Sequence, residues 1–182
     1  MQGATAALAA RWAGDEGPAR DGALTLDPTR HVDVLGLASA ALFSAGWSRP
    51  PTLEGPAFRS RALGTLTCVL APVVALLAVA AALLALRPAV LGWLGGNAGI
   101  VASTVLLVTF ELGVRGAVLA LLPLPQTTGG AWFLLSRATE GLQTRPAARG
   151  AGAVVTLALL AVGPGDVWLR GAADWYRGLL GF

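Results

Sequence analysis

The chain has 182 residues, 55% of them hydrophobic and only 13% charged, with a mean hydropathy of +0.67. That is more apolar surface than one water-soluble core can bury, and it predicts an integral membrane protein. All thirteen basic residues are arginine and the formal net charge is only +3; they are spread along the chain with no basic aromatic motif, which argues against nucleic acid as a partner, and the lone cysteine, Cys68, excludes an internal disulfide.

In chain order, residues 1–13 are Ala-rich and form a helix too short to cross a bilayer, ended by Asp15, Glu16 and Gly17. No basic region followed by an apolar stretch opens the chain, so nothing reads as a cleaved signal. A polar stretch from Asp15 to Arg30 follows, and within it Ala23-Leu24-Thr25-Leu26 alternates as a short strand does before the Asp27-Pro28 turn. Val34 to Ser48 carries no charge but is short for a span, so a buried or re-entrant segment is expected, with Trp47 marking a membrane interface.

An extended, proline-containing connector from Arg49 to Arg61 leads into Ala62 to Leu86, 25 residues without a charge. As a helix this run measures about 37 Å, longer than a bilayer's hydrocarbon core, and it reads as a membrane span. Pro72 inside it is expected to kink the helix and to pack against protein. Arg87-Pro88 is expected to end the helix, with Gly92, Gly95, Gly96 and Asn97 forming the turn beyond.

From Ala98 the chain is apolar to Pro123 apart from Glu111 and Arg115. These lie four residues apart, acid first, and so pair across one turn. An ion pair within a span is a functional candidate; a self-neutralising pair that holds helices in register is the alternative. Leu121 to Pro125 ends that helix, Gln126 to Gly130 is a polar elbow, and Ala131 to Ser136 is apolar again. Arg137 to Arg149 is a second arginine-rich loop; an even number of spans separates it from the first, and the arginine excess predicts that both are cytoplasmic. Gly150 to Gly165 is uncharged and of marginal length. In the tail, Asp166, Arg170, Asp174 and Arg177 form a charged stripe, with Trp168, Trp175, Tyr176, Leu179 and Leu180 available for an apolar face. This predicts an amphipathic helix lying in the interface or against a partner.

Together these elements predict one all-helical membrane domain over 1–182: about four to five spanning or partly spanning segments, a strand near residues 23–26, and a C-terminal span and interfacial helix over 150–182.

The order of these segments resembles the site-2 protease family of intramembrane zinc metalloproteases, in its small bacterial branch. The residues that carry the resemblance are Gly14-Asp15, LTLDP from Leu24 to Pro28, His31-Val32-Asp33 with Gly36, Gly46-Trp47 ahead of Pro50-Pro51, Leu70-Ala71-Pro72, and LLPLP from Leu121 to Pro125 with Gly129. The family reads there as GD, LTLNPLAHIDPLG, a GWAKPV-like loop, LAGP and NLLPIPPLDG. The resemblance covers most of the chain, with its core over about 1–136, and implies a bacterial inner-membrane protein.

It also implies where the family's chemistry would sit. Two histidines and a glutamate in HExxH bind zinc and activate water, and the aspartate of the elbow is the third ligand. By the family spacing, HExxH falls on Gln2-Gly3-Ala4-Thr5-Ala6 and the aspartate on Thr128, while the family's intramembrane asparagine falls near Ala75. Gln2, Gly3, Ala6 and Thr128 supply neither ligands nor a base. His31 adjoins a polar turn and Cys68 lies deep in a span, so neither replaces them.

No metal, no cofactor and no catalysis are therefore expected. The expected role is an accessory or structural subunit in contact with the bilayer and with other integral membrane subunits, through Ala- and Gly-rich faces and interfacial Trp168, Trp175 and Tyr176. The alternative is a regulatory pseudoprotease that holds single-span clients without cutting them. An active hydrolase using other residues and a small transporter are weaker readings.

Overall fold

The structure is a computed structural model that describes residues 2–25, 27–139 and 141–182, and its elements are helical throughout those residues. The helices are α1 (Gln2–Ala13), α2 (Gly17–Arg20), α3 (Val34–Phe43), α4 (Arg61–Leu94), α5 (Gly96–Leu121), α6 (Pro146–Ala161) and α7 (Pro164–Leu179), with 3-10 turns at Pro28–Arg30, Gly55–Ala57 and Thr128–Leu135.

α4 is the axis of the molecule. The Ser60 side chain accepts from the Leu63 N–H at its amino end, and the helix continues for 34 residues, about 51 Å. It does not stop at Arg87-Pro88 as expected; both Pro72 and Pro88 lie inside it, and the turn is made at Gly95, where φ is +59°. Only one amide hydrogen bond is lost at Pro88, and the apolar residues on both sides keep the chain helical where the breaker rule ends it. Arg87, next to that proline, donates from Nε to the Ser103 hydroxyl across the hairpin at 3.1 Å. Pro72 is fully buried, against protein as expected.

α5 returns antiparallel along α4. Gly113 allows close contact, since a Cβ there would lie 3.3 Å from that of Ala80. Val73, Ala117 and Ala120 pack together toward the open end of the hairpin, away from the Gly95 turn. α1 lies on the amino-terminal half of α4, with its alanines buried: Ala9 and Ala10 pack with Cys68, Val69, Leu53 and Phe58 and with Ala131 and Leu134 of the 3-10 segment.

Among the described residues, two helices, α4 and α5, are long and apolar enough to cross a membrane, fewer than the four to five expected. α1 and α3 are 12 and 10 residues long, and α6 and α7 are 16 each and meet at 77°, so they give a third crossing only if that bent pair is counted as one. The expected strand is also absent over 23–25, while Leu26 lies outside the described residues. Local bonds take up its backbone instead: the Thr25 hydroxyl accepts from the Asp27 N–H at 3.1 Å, and the Thr25 carbonyl accepts from His31.

Two further expectations change. Trp47 is buried, 6% exposed, rather than at an interface. Its backbone crosses directly over Gly36, where a Cβ would lie 2.0 Å from the Trp47 carbonyl oxygen. Of the two forms expected for α3, buried or re-entrant, the buried one does not hold: Val34, Leu35, Leu37 and Leu42 are exposed.

Candidate functional site

Two places hold the residues singled out by sequence. The first lies around the amino end of α1. The Gln2 amide bridges three parts of the chain: Nε2 donates to the Gly116 carbonyl at 3.1 Å, and Oε1 accepts from the Ser48 N–H and hydroxyl at 3.1 and 3.0 Å. Gly3 lies against the His31 ring, and a Cβ there would come within 2.4 Å of Nδ1. His31 is buried, and its Nε2 is 2.8 Å from the Thr25 carbonyl. A carbonyl only accepts, so Nε2 is the donor in this bond.

A cavity of about 350 Å³ opens here between Gln2, His31, Asp33, Trp47, Ser48 and Gly116. Ala6 is buried in the same helix but does not line it, and neither does Thr128. Thr128 lies in the elbow and begins its 3-10 segment, buried, with no hydrogen-bond partner for its hydroxyl. Cys68 belongs to the α1–α4 core and is apart from His31. Among the described residues, no three His, Cys, Asp or Glu side chains converge on one point. Ala75 lines an outer groove between α1 and α4.

The elbow is held by its own chemistry. Thr127 Oγ1 accepts from the Gly129 N–H, and Trp132 Nε1 donates to the Leu121 carbonyl left free at the end of α5, at 2.8 Å. Gln126 reaches Thr156 of α6 at 2.8 Å.

The second place is a charged cluster between α5 and α7. Glu111 and Arg115 do pair, though loosely, at 3.8 Å. Their closer partners come from α7: Arg115 Nη1 is 3.1 Å from Asp166 Oδ1, and Arg177 Nη2 is 3.2 Å from Glu111 Oε1. Asp166 also binds Arg170, Arg177 approaches Asp174, and Arg115 donates to the Phe43 carbonyl. The Phe110 ring lies between, with the Arg177 guanidinium 5.7 Å from its centroid and Tyr176 stacked at 6.1 Å. The Tyr176 hydroxyl donates to the Leu77 carbonyl of α4 at 3.1 Å.

A cleft of about 590 Å³ opens beside this cluster, lined by Phe43, Ser44, Glu111, Arg115, Asp166 and Asp174. The six charged side chains are three acids and three arginines, so the cluster as a whole is neutral. A neutral, mutually paired set suits helix fastening better than attraction of an ion.

The tail residues separate. Tyr176 turns inward with Ala173 and Leu180 onto Phe110, Val114, Ala80 and Leu84. Trp168 and Trp175 face outward, 75% and 69% exposed. α7 thus rests on its own chain rather than on an interface alone. The sequence reading missed the α7 partners of Glu111 and Arg115. The alternating charges at 166, 170, 174 and 177, set against a charged pair in a span, were the clue available.

Gln2→Ala removes the bridge and leaves the Gly116 carbonyl and the Ser48 N–H without their partner. A loss of about 2 kcal/mol is expected, or roughly 4–8 °C in midpoint. Cys68 is fully buried and is the sole thiol, so a thiol-reactive fluorogenic dye reads that midpoint during heating in detergent.

The described fold is that of an all-helical protein with two helices able to cross a membrane by length and composition. Compared with protein-family models, curated proteins and solved structures, the chain matches none.

Proposed function

We propose that this chain is a non-catalytic, site-2-protease-like membrane protein that serves as an accessory or structural subunit of a larger membrane complex, with both arginine-rich loops on the cytoplasmic face of a bacterial inner membrane. The observation that carries the reading is the use made of Gln2. Where the resemblance puts a zinc-binding histidine, an amide spends its donor and its acceptor on Gly116 and Ser48. Gly3 and Ala6 beside it are close-packed and without polar side chains, and Thr128 offers a hydroxyl in place of a carboxylate. The residues at these four positions fasten and fill; none is a strong metal ligand or a base.

Subunit contact is supported by what the fold leaves outside. Val154, Val155 and Leu159 on α6 and Trp168, Trp175 and Leu179 on α7 are exposed, and they suit neighbouring membrane helices as well as lipid. The neutral charge cluster fastens α7 to α5 so that the outward tryptophans are presented on a fixed surface.

The test is purification of the tagged chain from native membranes in mild detergent, with quantitative mass spectrometry of what accompanies it. Recovery of the same integral proteins in fixed ratio is the expected result. Varied, substoichiometric single-span partners would favour the client-holding pseudoprotease instead. Near-stoichiometric zinc in the purified protein would overturn the non-catalytic reading.

A further inference from the structure

The outer face of α1 and α4 carries a feature that neither the charge cluster nor the Gln2 bridge uses. A groove of about 740 Å³ runs between the two helices, walled by Leu8, Trp12, Leu63, Leu70, Ala71 and Ala75 among others, with almost no polar surface along its length. Arg59 and Ser60 stand at one end. The groove exists because the facing side chains are small at Ala9, Ala71, Ala75 and Ala78 and long at its rims.

Two observations decide what fits it. The first is depth. α1 has 12 residues, about 18 Å, little more than half of the roughly 30 Å hydrocarbon core. Its carboxyl end is joined to the start of α4, since the Arg59 N–H donates to the Ala13 carbonyl at 2.9 Å. Its amino end stops beside Leu76 and Gly116, well inside the α4–α5 hairpin. The α1 wall of the groove therefore runs from the loop end over little more than half of a hydrocarbon core's thickness. A spanning helix needs a wall across the whole core, whereas an acyl chain of one leaflet needs half of it.

The second is charge. Arg59 is exposed, and its guanidinium has no ion-pair partner among the described residues. Its position is set by the backbone bond to Ala13 and by the close approach of its Cγ to Gly14, where a Cβ would lie 3.2 Å away. Of the acids nearest in the chain, Asp15 accepts from the Gly17 and Glu54 N–H groups and Glu16 pairs with Arg20, while the Glu54 carboxylate is exposed and in no ion pair among the described residues. An apolar slot one leaflet deep with a free cation at its loop end complements an anionic amphiphile.

We propose that this groove is a seat for an acidic phospholipid, one acyl chain lying between α1 and α4 and the phosphate at Arg59. The inference rests on α4 crossing the membrane and not on the subunit reading, so either can fail alone. Trp12 lines the slot and is the built-in reporter.

The full-length protein is reconstituted in vesicles that contain phosphatidylglycerol or phosphatidylcholine with brominated acyl chains, and the Trp12 contribution is isolated as the difference between wild type and Trp12→Phe. Trp12 is expected to be quenched at about fivefold lower mole fraction of the acidic lipid than of the zwitterionic one, the change one basic residue near the headgroups supplies. Arg59→Gln removes that preference and keeps quenching by both lipids; Ala75→Leu, which fills the slot, weakens quenching by both while the Cys68 dye midpoint shows the protein folded. Equal quenching by the two lipids in wild type would mean ordinary boundary lipid and overturn the proposal. So would Trp12 shielded from both lipids by a co-purifying protein, which would make the groove a helix contact.

Discussion

Arg115→Met is expected to lower stability by about 3 kcal/mol, the lower end of what removal of one member of a buried ion pair costs. The Arg115 side chain is 7% exposed and holds Asp166 at 3.1 Å, the Phe43 carbonyl at 3.3 Å and, more loosely, Glu111. Methionine fills a similar volume and leaves two partly buried carboxylates beside the cleft without their shared, buried arginine. The loss stays at the lower end because each acid retains another arginine, Arg170 for Asp166 and Arg177 for Glu111. Read by the Cys68 dye assay, the midpoint should fall by roughly 6–12 °C. Arg115→Met with Asp166→Asn should regain at least half of that fall, since the neutral pair no longer buries an uncompensated charge. If the single variant unfolds like wild type, α7 is not fastened through Arg115, and the cluster is free for a role outside the fold.

That prediction joins one pair visible in the sequence to partners that were not. Glu111 and Arg115 are adjacent on a helix surface by spacing alone. Their better partners lie more than fifty residues away in sequence on α7, and only the tertiary arrangement brings them in. Tyr176 shows why. At about 100° per residue, positions 168, 175 and 179 share one line of α7, while 169, 173, 176 and 180 share another roughly a quarter turn away. Both lines are apolar, so composition marks α7 as amphipathic without saying which line meets protein. The structure puts Leu169, Ala173, Tyr176 and Leu180 inward and leaves the tryptophans out.

The main span was legible for the opposite reason. Ala62 to Leu86 has no charge on any face, and no other element satisfies its backbone in an apolar medium. Its far end was misread because Pro88 is a strong breaker in water-soluble helices, whereas here the apolar run resumes beyond it and the helix holds to Leu94. The strand over 23–25 failed because alternation was read without a neighbour to pair with, while Thr25 and Asp27 supplied local bonds. Gln2 stands out in the sequence only for the ligand chemistry its side chain lacks. That its amide would bridge Ser48 and Gly116 had no local signature, because both partners are distant in sequence.

The elbow after α5 gives the sharpest steric prediction. Gly129 lies so close beneath the end of α5 that a Cβ would stand 1.9 Å from the Leu122 carbonyl oxygen and 2.7 Å from that of Ala120. Both are backbone atoms, and neither can rotate away. Leu122 leads into Pro123 and Pro125, whose rings restrict the backbone on the far side. Moving Gly129 outward instead would break its N–H bond to Thr127 Oγ1 and lift Ala131 and Leu134 out of the core they share with α1 and α4. Gly129→Ala is therefore expected to cost about 3 kcal/mol or more, at the upper end for overpacking a tight site. Much of the protein should be lost to aggregation during expression, with the remainder labelling at Cys68 without heating. Gly171→Ala is the matched control. Its added methyl meets nothing within 4 Å on exposed α7, and there the change should raise stability by about 0.5–1 kcal/mol through helix propensity. If the two variants melted alike, the close passage of the elbow under α5 would be wrong, and with it the placement of Thr128 and of the packing that joins the elbow to α1.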